Sequence, residues 1–220
     1  MAVQRRPGSR GRTTPVPGRH FDDGRSLQAF ADRVAVRCHR CDRPGWVLAS
    51  WLPYRWAARF RCIGCSAALD SADGVWVGAV SVEGRRPCGY CGHRWVGVRQ
   101  ARPSATTPVP ETLPGKCVQC GRISEVTVTV RPLRDAQPSD PHFGLPLRLV
   151  ESTRAGVLWA YNGDHLQALH DYAVATLREH GPVGNSSMFS RLPHWMKLAR
   201  NRVLLQKATA RLIAKAGKTR

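Results

Sequence analysis

The spacing of apolar and polar residues divides the chain into a strand-forming half and a helical tail. VAVRC (34–38), WAARFRC (56–62), RWVGV (94–98) and SEVTVTV (124–130) alternate at the two-residue period of half-buried strands. LRLVE (147–151) and GVLWAY (156–161) predict a short hairpin turning at STRA. The period then lengthens. Asn162 is a good N-cap for NGDHLQALHDYAVATLREHG, with Asp164 near the positive helix end and Gly181 as the stop. Leu166, Leu169, Ala173 and Leu177 recur at 3/4 spacing as its expected buried stripe. A second helical stretch follows in SMFSRLPHWMKLARNRVLLQKATARLIAKAG, where Pro193 separates a short turn of helix from a longer one. Leu198, Leu205, Leu212 and Ile213 form its apolar stripe. Between these elements, ARPSATTPVPETLPG (101–115) reads as a long loop and RPLRDAQPSDPHFGLP (131–146) as a turn-rich junction. No apolar run reaches the roughly 18 residues of a membrane-spanning helix, so none is expected.

Cysteine placement adds a chemistry to that outline. All eight Cys fall in C-x-x-C pairs: Cys38/Cys41, Cys62/Cys65, Cys88/Cys91 and Cys117/Cys120, with spacers of 20, 22 and 25 residues. Two tight turns, each giving two sulfurs, are the simplest source of a tetrahedral four-thiolate site, and the intervening strands set the interval. Gly92 and Gly121 follow the second and fourth of the last four Cys, where a glycine can take positive φ and turn backbone N–H groups toward sulfur. A redox C-x-x-C needs a cysteine at a helix N-terminus, and GHRWVGVRQ after Cys91 alternates like a strand. The absence of a signal-like leader disfavours a secreted disulfide framework. Two zinc ions are expected. Sequential closure gives one site from Cys38, Cys41, Cys62 and Cys65 and another from Cys88, Cys91, Cys117 and Cys120, although spacing alone leaves nested pairing open. His39 and His93 read as exposed knuckle residues, and His165, His170 and His180 as surface or cap residues.

Charge then narrows the class of partner. Lys+Arg number 34 against 15 Asp+Glu, a net +19, and two four-thiolate zinc sites would lower this only to about +15. An excess of that size favours a polyanion, with nucleic acid, DNA or RNA, ahead of anionic membrane. Arg dominates the cations, as a GC-rich coding sequence would produce unaided. The last stretch differs: residues 190–220 hold four of the five Lys and no acid. Arg200, Lys207, Arg211, Lys215 and Lys218 share one helix face there, joined by Lys197 upstream, and form a candidate phosphate-contacting stripe. In the first Cys-bearing segment Arg40, Arg43 and Arg59 are interleaved with Trp56 and other aromatics, which can stack on unpaired bases.

The expected fold is small metal-bound β, as tandem zinc ribbons, followed by a C-terminal α+β module with basic helices. The expected divisions are a disordered basic arm (1–33), one ribbon (34–84), a second ribbon (85–133) and a C-terminal hairpin and helical module (134–220). FGLPL (143–147), LWAYN (158–162), HLQAL (165–169) and SRLPHWMKLARNR (190–202), placed behind paired four-cysteine ribbons, resemble a group of uncharacterised bacterial zinc-ribbon proteins. The resemblance covers most of the chain after residue 34 and implies zinc binding and a bacterial cytoplasmic setting, with no activity or substrate attached. The expected function is zinc-dependent nucleic-acid binding; the alternative is a protein-interaction adaptor within a larger nucleic-acid-processing assembly. An enzyme is not expected, because closed four-thiolate sites leave no position for an activated water. No small-molecule substrate is evident. The terminal GKT lacks the first glycine of a P-loop, and no H-x-E accompanies Pro87-Cys88 as a deaminase would require.

Overall fold

The computed structural model describes residues 18–134, 138–179 and 186–217. In chain order the strands are β1 (Arg19–Phe21), β2 (Arg33–Arg37), β3 (Pro44–Leu52), β4 (Arg55–Arg61), β5 (Ala68–Asp70), β6 (Val80–Arg86), β7 (Val96–Arg102), β8 (Thr112–Lys116), β9 (Ile123–Thr127) and β10 (Thr129–Pro132). Then come β11 (Leu149–Thr153), β12 (Gly156–Ala160), helix α1 (Gly163–Val174), β13 (Leu177–Glu179), α2 (His194–Lys197) and α3 (Arg202–Gly217). They form small sheets ordered β2-β3-β4-β5, β10-β6-β7, β8-β9, β11-β12 and β1-β13.

The alternation in VAVRC and WAARFRC decides which face of the first sheet is buried. Register pairs Val47 with Phe60 and Ala49 with Ala58, turning both pairs inward. Val47, Ala58 and Phe60 are almost fully buried. Gly45 gives Phe60 its room, since a Cβ there would lie 2.9 Å from the ring. Against this face pack the C-terminal elements. Phe143 and Leu145 are wholly buried in the same cluster as Leu166, Leu169, Leu205 and Leu212. β2 is tied to the FGLPL segment by Arg37 N–H to the Pro146 carbonyl (2.8 Å) and Arg148 N–H to the Ala35 carbonyl (3.0 Å). The carboxylate of Asp140 accepts from the backbone N–H groups of His142, Phe143 and Leu145, which fixes that turn. Burial pushes the Asp140 carboxyl up, and those three N–H groups oppose the shift.

The core therefore does not respect the expected boundary between 34–84 and 134–220. Residues of both segments share one interior. The division at 84/85 is also displaced. β6 runs through it from Val80 to Arg86 and pairs with β7 and β10 on either side. Pro114 and Gly115 of the expected long loop lie within β8, leaving residues 103–111 as the connection.

The expected disordered arm is corrected over its described part. Residues 18–33 hold β1, a 3-10 turn (Leu27–Phe30) and the start of β2, and Phe30 is buried. β1 runs parallel to β13, and the Ser187 hydroxyl donates to buried Asp22 at 2.5 Å. These contacts hold a segment whose composition reads as a tail. Residues 1–17 lie outside the described residues.

Asn162 caps α1 as expected, its side chain accepting from the His165 N–H at 2.9 Å. The same amide donates to the carbonyls of Phe30 and Arg33, so the cap also anchors the start of β2. The helix ends earlier than its spacing predicts. Ala175 is extended at ψ 129°, and the chain enters β13, which leaves Leu177 46% exposed. His180 and Gly181 lie outside the described residues. His165 is a second departure. It is buried, stacks on Phe30 and accepts the Tyr161 N–H at Nδ1 (3.1 Å). Burial holds its ring down to about 4. Among the described residues, no helix is long and apolar enough to cross a membrane.

Candidate metal centres

Four knuckles repeat one backbone design. In each, the N–H of the first cysteine donates to the carbonyl five residues on: Cys38 to Arg43, Cys62 to Ala67, Cys88 to His93 and Cys117 to Arg122, all at 2.8–2.9 Å. In each, the residue after the second cysteine is left-handed: Asp42 (φ 57°), Ser66 (58°), Gly92 (70°) and Gly121 (73°). The two glycines are legible in the sequence. Asp42 and Ser66 hold the same conformation without glycine's freedom.

This turn aims two sulfurs at one point, and the strands bring the turns together in pairs. Cys38, Cys41, Cys62 and Cys65 form one group and Cys88, Cys91, Cys117 and Cys120 the other, the sulfurs of each lying within 4.8 Å of one another. The grouping is sequential. Sulfur–sulfur distances are 3.5 Å for Cys38–Cys65 and Cys41–Cys62, and 3.7 and 3.8 Å for Cys88–Cys120 and Cys91–Cys117. A tetrahedron with metal–sulfur bonds of about 2.3 Å has edges of about 3.8 Å. Both groups thus fit a metal ion, and neither has disulfide geometry, whose bond is about 2.0 Å.

The electrostatics point the same way. The Gly64 N–H donates to the Cys62 sulfur at 3.3 Å and the Arg40 N–H to Cys38 at 3.4 Å. The first of these holds Cys62 down to about 6. Backbone N–H groups of Tyr90 and Cys91 hold Cys88 down to about 6 as well. Their partners move oppositely. The Arg43 N–H favours the Cys41 thiolate, yet desolvation and the three neighbouring sulfurs outweigh it and push Cys41 up to about 12. Cys91 is pushed up to about 12 by the same balance, with the His93 N–H opposing. Four sulfurs this close do not all ionise alone; a divalent cation removes that obstacle.

The expected nucleic-acid contacts scatter. Trp56 and Arg59 are three apart on β4 and so point to opposite faces of the sheet. Trp56 is half-buried against Trp51 and His142, while Arg59 is exposed and pairs with Asp70 at 3.0 Å. Arg43 lies over the neighbouring knuckle, where a Cβ on Gly64 would meet its side chain. Arg40 is exposed in the first knuckle.

The helical stripe is partly engaged. Residues 190–220 contain no acid, but β11 supplies one: Arg211 and Lys215 bind the two carboxylate oxygens of Glu151 at 2.7 and 2.8 Å. The Glu151 side chain is only 13% exposed, and Lys215 first and then Arg211 hold its carboxyl down. Lys197 donates to the Ser190 carbonyl at 2.6 Å. Arg200 precedes α3 rather than lying on it. Arg200 and Lys207 are exposed, with no ion pair among the described residues, and Lys218 lies outside them.

His39, expected as an exposed knuckle residue, is half-buried, with a buried Nδ1 that has no hydrogen-bond partner. Of the residues sequence reasoning passed over, Tyr90 and Trp95 carry the guanidinium groups of Arg122 and Arg85 at 4.7 and 4.6 Å. CGYCGHRW shows the two rings, but Arg85 and Arg122 lie outside it, so no local signal could have found these stacks. No family model, curated protein or solved structure matches the chain.

Proposed function

We propose that this is a zinc-dependent nucleic-acid-binding protein, in which two four-thiolate zinc sites hold a cationic β scaffold in shape. Four-sulfur sets with tetrahedral spacing suit zinc among the common divalent metals. Bound zinc would cross-link each pair of knuckles. The observation that carries the nucleic-acid reading is the excess of 34 Lys+Arg over 15 Asp+Glu, with arginines spread along exposed strand faces rather than confined to a tail. No residue is assigned a catalytic role.

A test follows from counterion release. Metal analysis of the purified chain is expected to give two zinc ions. The zinc-loaded chain is expected to bind random-sequence oligonucleotides and to lose at least tenfold in affinity between about 50 and 200 mM salt. No binding at the lower salt overturns the reading. One observation favours a second reading in that event. Ile63 and Val118, inside two of the knuckles, are 95% and 85% exposed, as a protein-docking adaptor would present them.

A further inference from the structure

We propose that the outward face of the β2–β5 sheet is a platform for single-stranded nucleic acid, with bases on its central strand and phosphates on the strands either side. This rests on the nucleic-acid reading above and adds the strand form and the face. Strand alternation puts Trp46, Leu48, Ser50 and Leu52 of β3 on that face, a lane without charge. Register sets Arg33 of β2 opposite Leu48 on one side, and Arg59 and Arg55 of β4 opposite Leu48 and Leu52 on the other. Arg61 continues the second cationic lane, which spans about 20 Å from Arg55. Each lane lies about 4.8 Å from the uncharged one.

The central lane is open over Leu48, Ser50 and Leu52 and half-buried at Trp46, which packs against the main core. Leu48 is 57% exposed, and the Arg33 guanidinium lies 4.1 Å over the Trp46 ring, where it can face a phosphate while flattening the surface. Asp70 reaches this face and is engaged by Arg59. Arg33, Arg55 and Arg61 have no ion pair among the described residues. A duplex keeps its base faces stacked and offers this surface phosphates, sugars and groove edges but no base face to lie against the lane. An uncharged lane flanked by Arg33 on one side and by Arg55, Arg59 and Arg61 on the other is complementary to a strand whose bases are turned outward. Arg37, the other arginine of β2 on this face, is held by Asp42 at 2.7 Å.

The test uses the full zinc-loaded chain, a labelled 20-residue oligonucleotide and the same sequence as a duplex, at one salt concentration. Single-strand affinity is expected to exceed duplex affinity by at least tenfold. Arg55→Glu with Arg61→Glu is expected to weaken single-strand binding by tenfold or more, and Leu48→Asp by about fivefold. Zinc content and thermal transition should be unchanged, since these side chains are exposed. Lys207→Glu on α3 is the control and is expected to change binding less than twofold. Equal affinity for duplex, or a larger loss from Lys207→Glu than from the sheet variants, overturns the platform while leaving nucleic-acid binding in place. No binding to either form removes both.

Discussion

The two cysteine groups share their turns and differ in what surrounds them. Cys38 and Cys62 belong to the main interior, with Cys41 and Cys65 packed against it, alongside Val34, Val47, Phe60 and the C-terminal helices. Around the second group lies a cluster of only Cys88, Val96, Cys117 and Val126, with Val98 beside it, and Cys91 and Cys120 are exposed. One group of sulfurs decorates a core that other residues could sustain. The other group supplies half of its core. The same ligand set would therefore do two jobs: at the first site a metal would reinforce an interior, and at the second it would stand in for one.

Metal removal should break this pairing most visibly, because structural zinc can contribute about 10–16 kcal/mol. Under a chelator, amide exchange protection is expected to vanish across β7–β9 while the amides of Val47, Phe60 and Leu205 stay protected. Simultaneous loss at both places would show that the two sites are equally dependent. Phe60→Ala is the reverse lesion. It should cost about 3–5 kcal/mol in the main thermal transition and leave zinc affinity at the second group unchanged.

Beyond the proton competition for thiolates that both groups share, acid should act on the main interior through His165. Its folded ring takes a proton only near pH 4, while an unfolded one does so near 6.5, so the unfolded state binds more protons between those values. Stability is therefore full above about pH 6.5 and falls by about 3 kcal/mol as pH drops through that window. Denaturant titrations of the chain and of His165→Asn should show the slope reduced in the variant. The smallest effect separates the knuckles themselves. Ser66→Gly is expected to stabilise the first group by about 0.5–1 kcal/mol, relieving a left-handed non-glycine residue, whereas Gly121→Ala should destabilise the second by about as much. Differential melting curves would register the opposite signs.

What the sequence makes legible is what is local. The C-x-x-C spacing names the eight sulfurs and favours their sequential grouping; the alternation of WAARFRC names Ala58 and Phe60 as inward; Asn162 marks the start of α1. What it conceals depends on distant partners. Nothing within residues 190–220 reveals that Glu151, 60 residues from Arg211, neutralises part of the basic stripe. His165 reads as a surface residue because its stacking partner, Phe30, sits in a segment composed like a tail. Trp56 and Arg59 look like one patch along the chain and are parted by the pleat.

The root of the smaller sulfur-bearing part lies where Gly78 passes Gly144. A Cβ on Gly144 would lie 2.8 Å from the Gly78 Cα and 2.6 Å from the Trp76 ring, and the Val77 N–H donates to the Phe143 carbonyl beside this crossing. Two bare backbones in contact make a pivot with no slack. β6 departs from it and runs about 20 Å toward the outer knuckles, so a methyl group wedged into the crossing would be magnified along that arm, tilting a distant pair of sulfur turns without touching either.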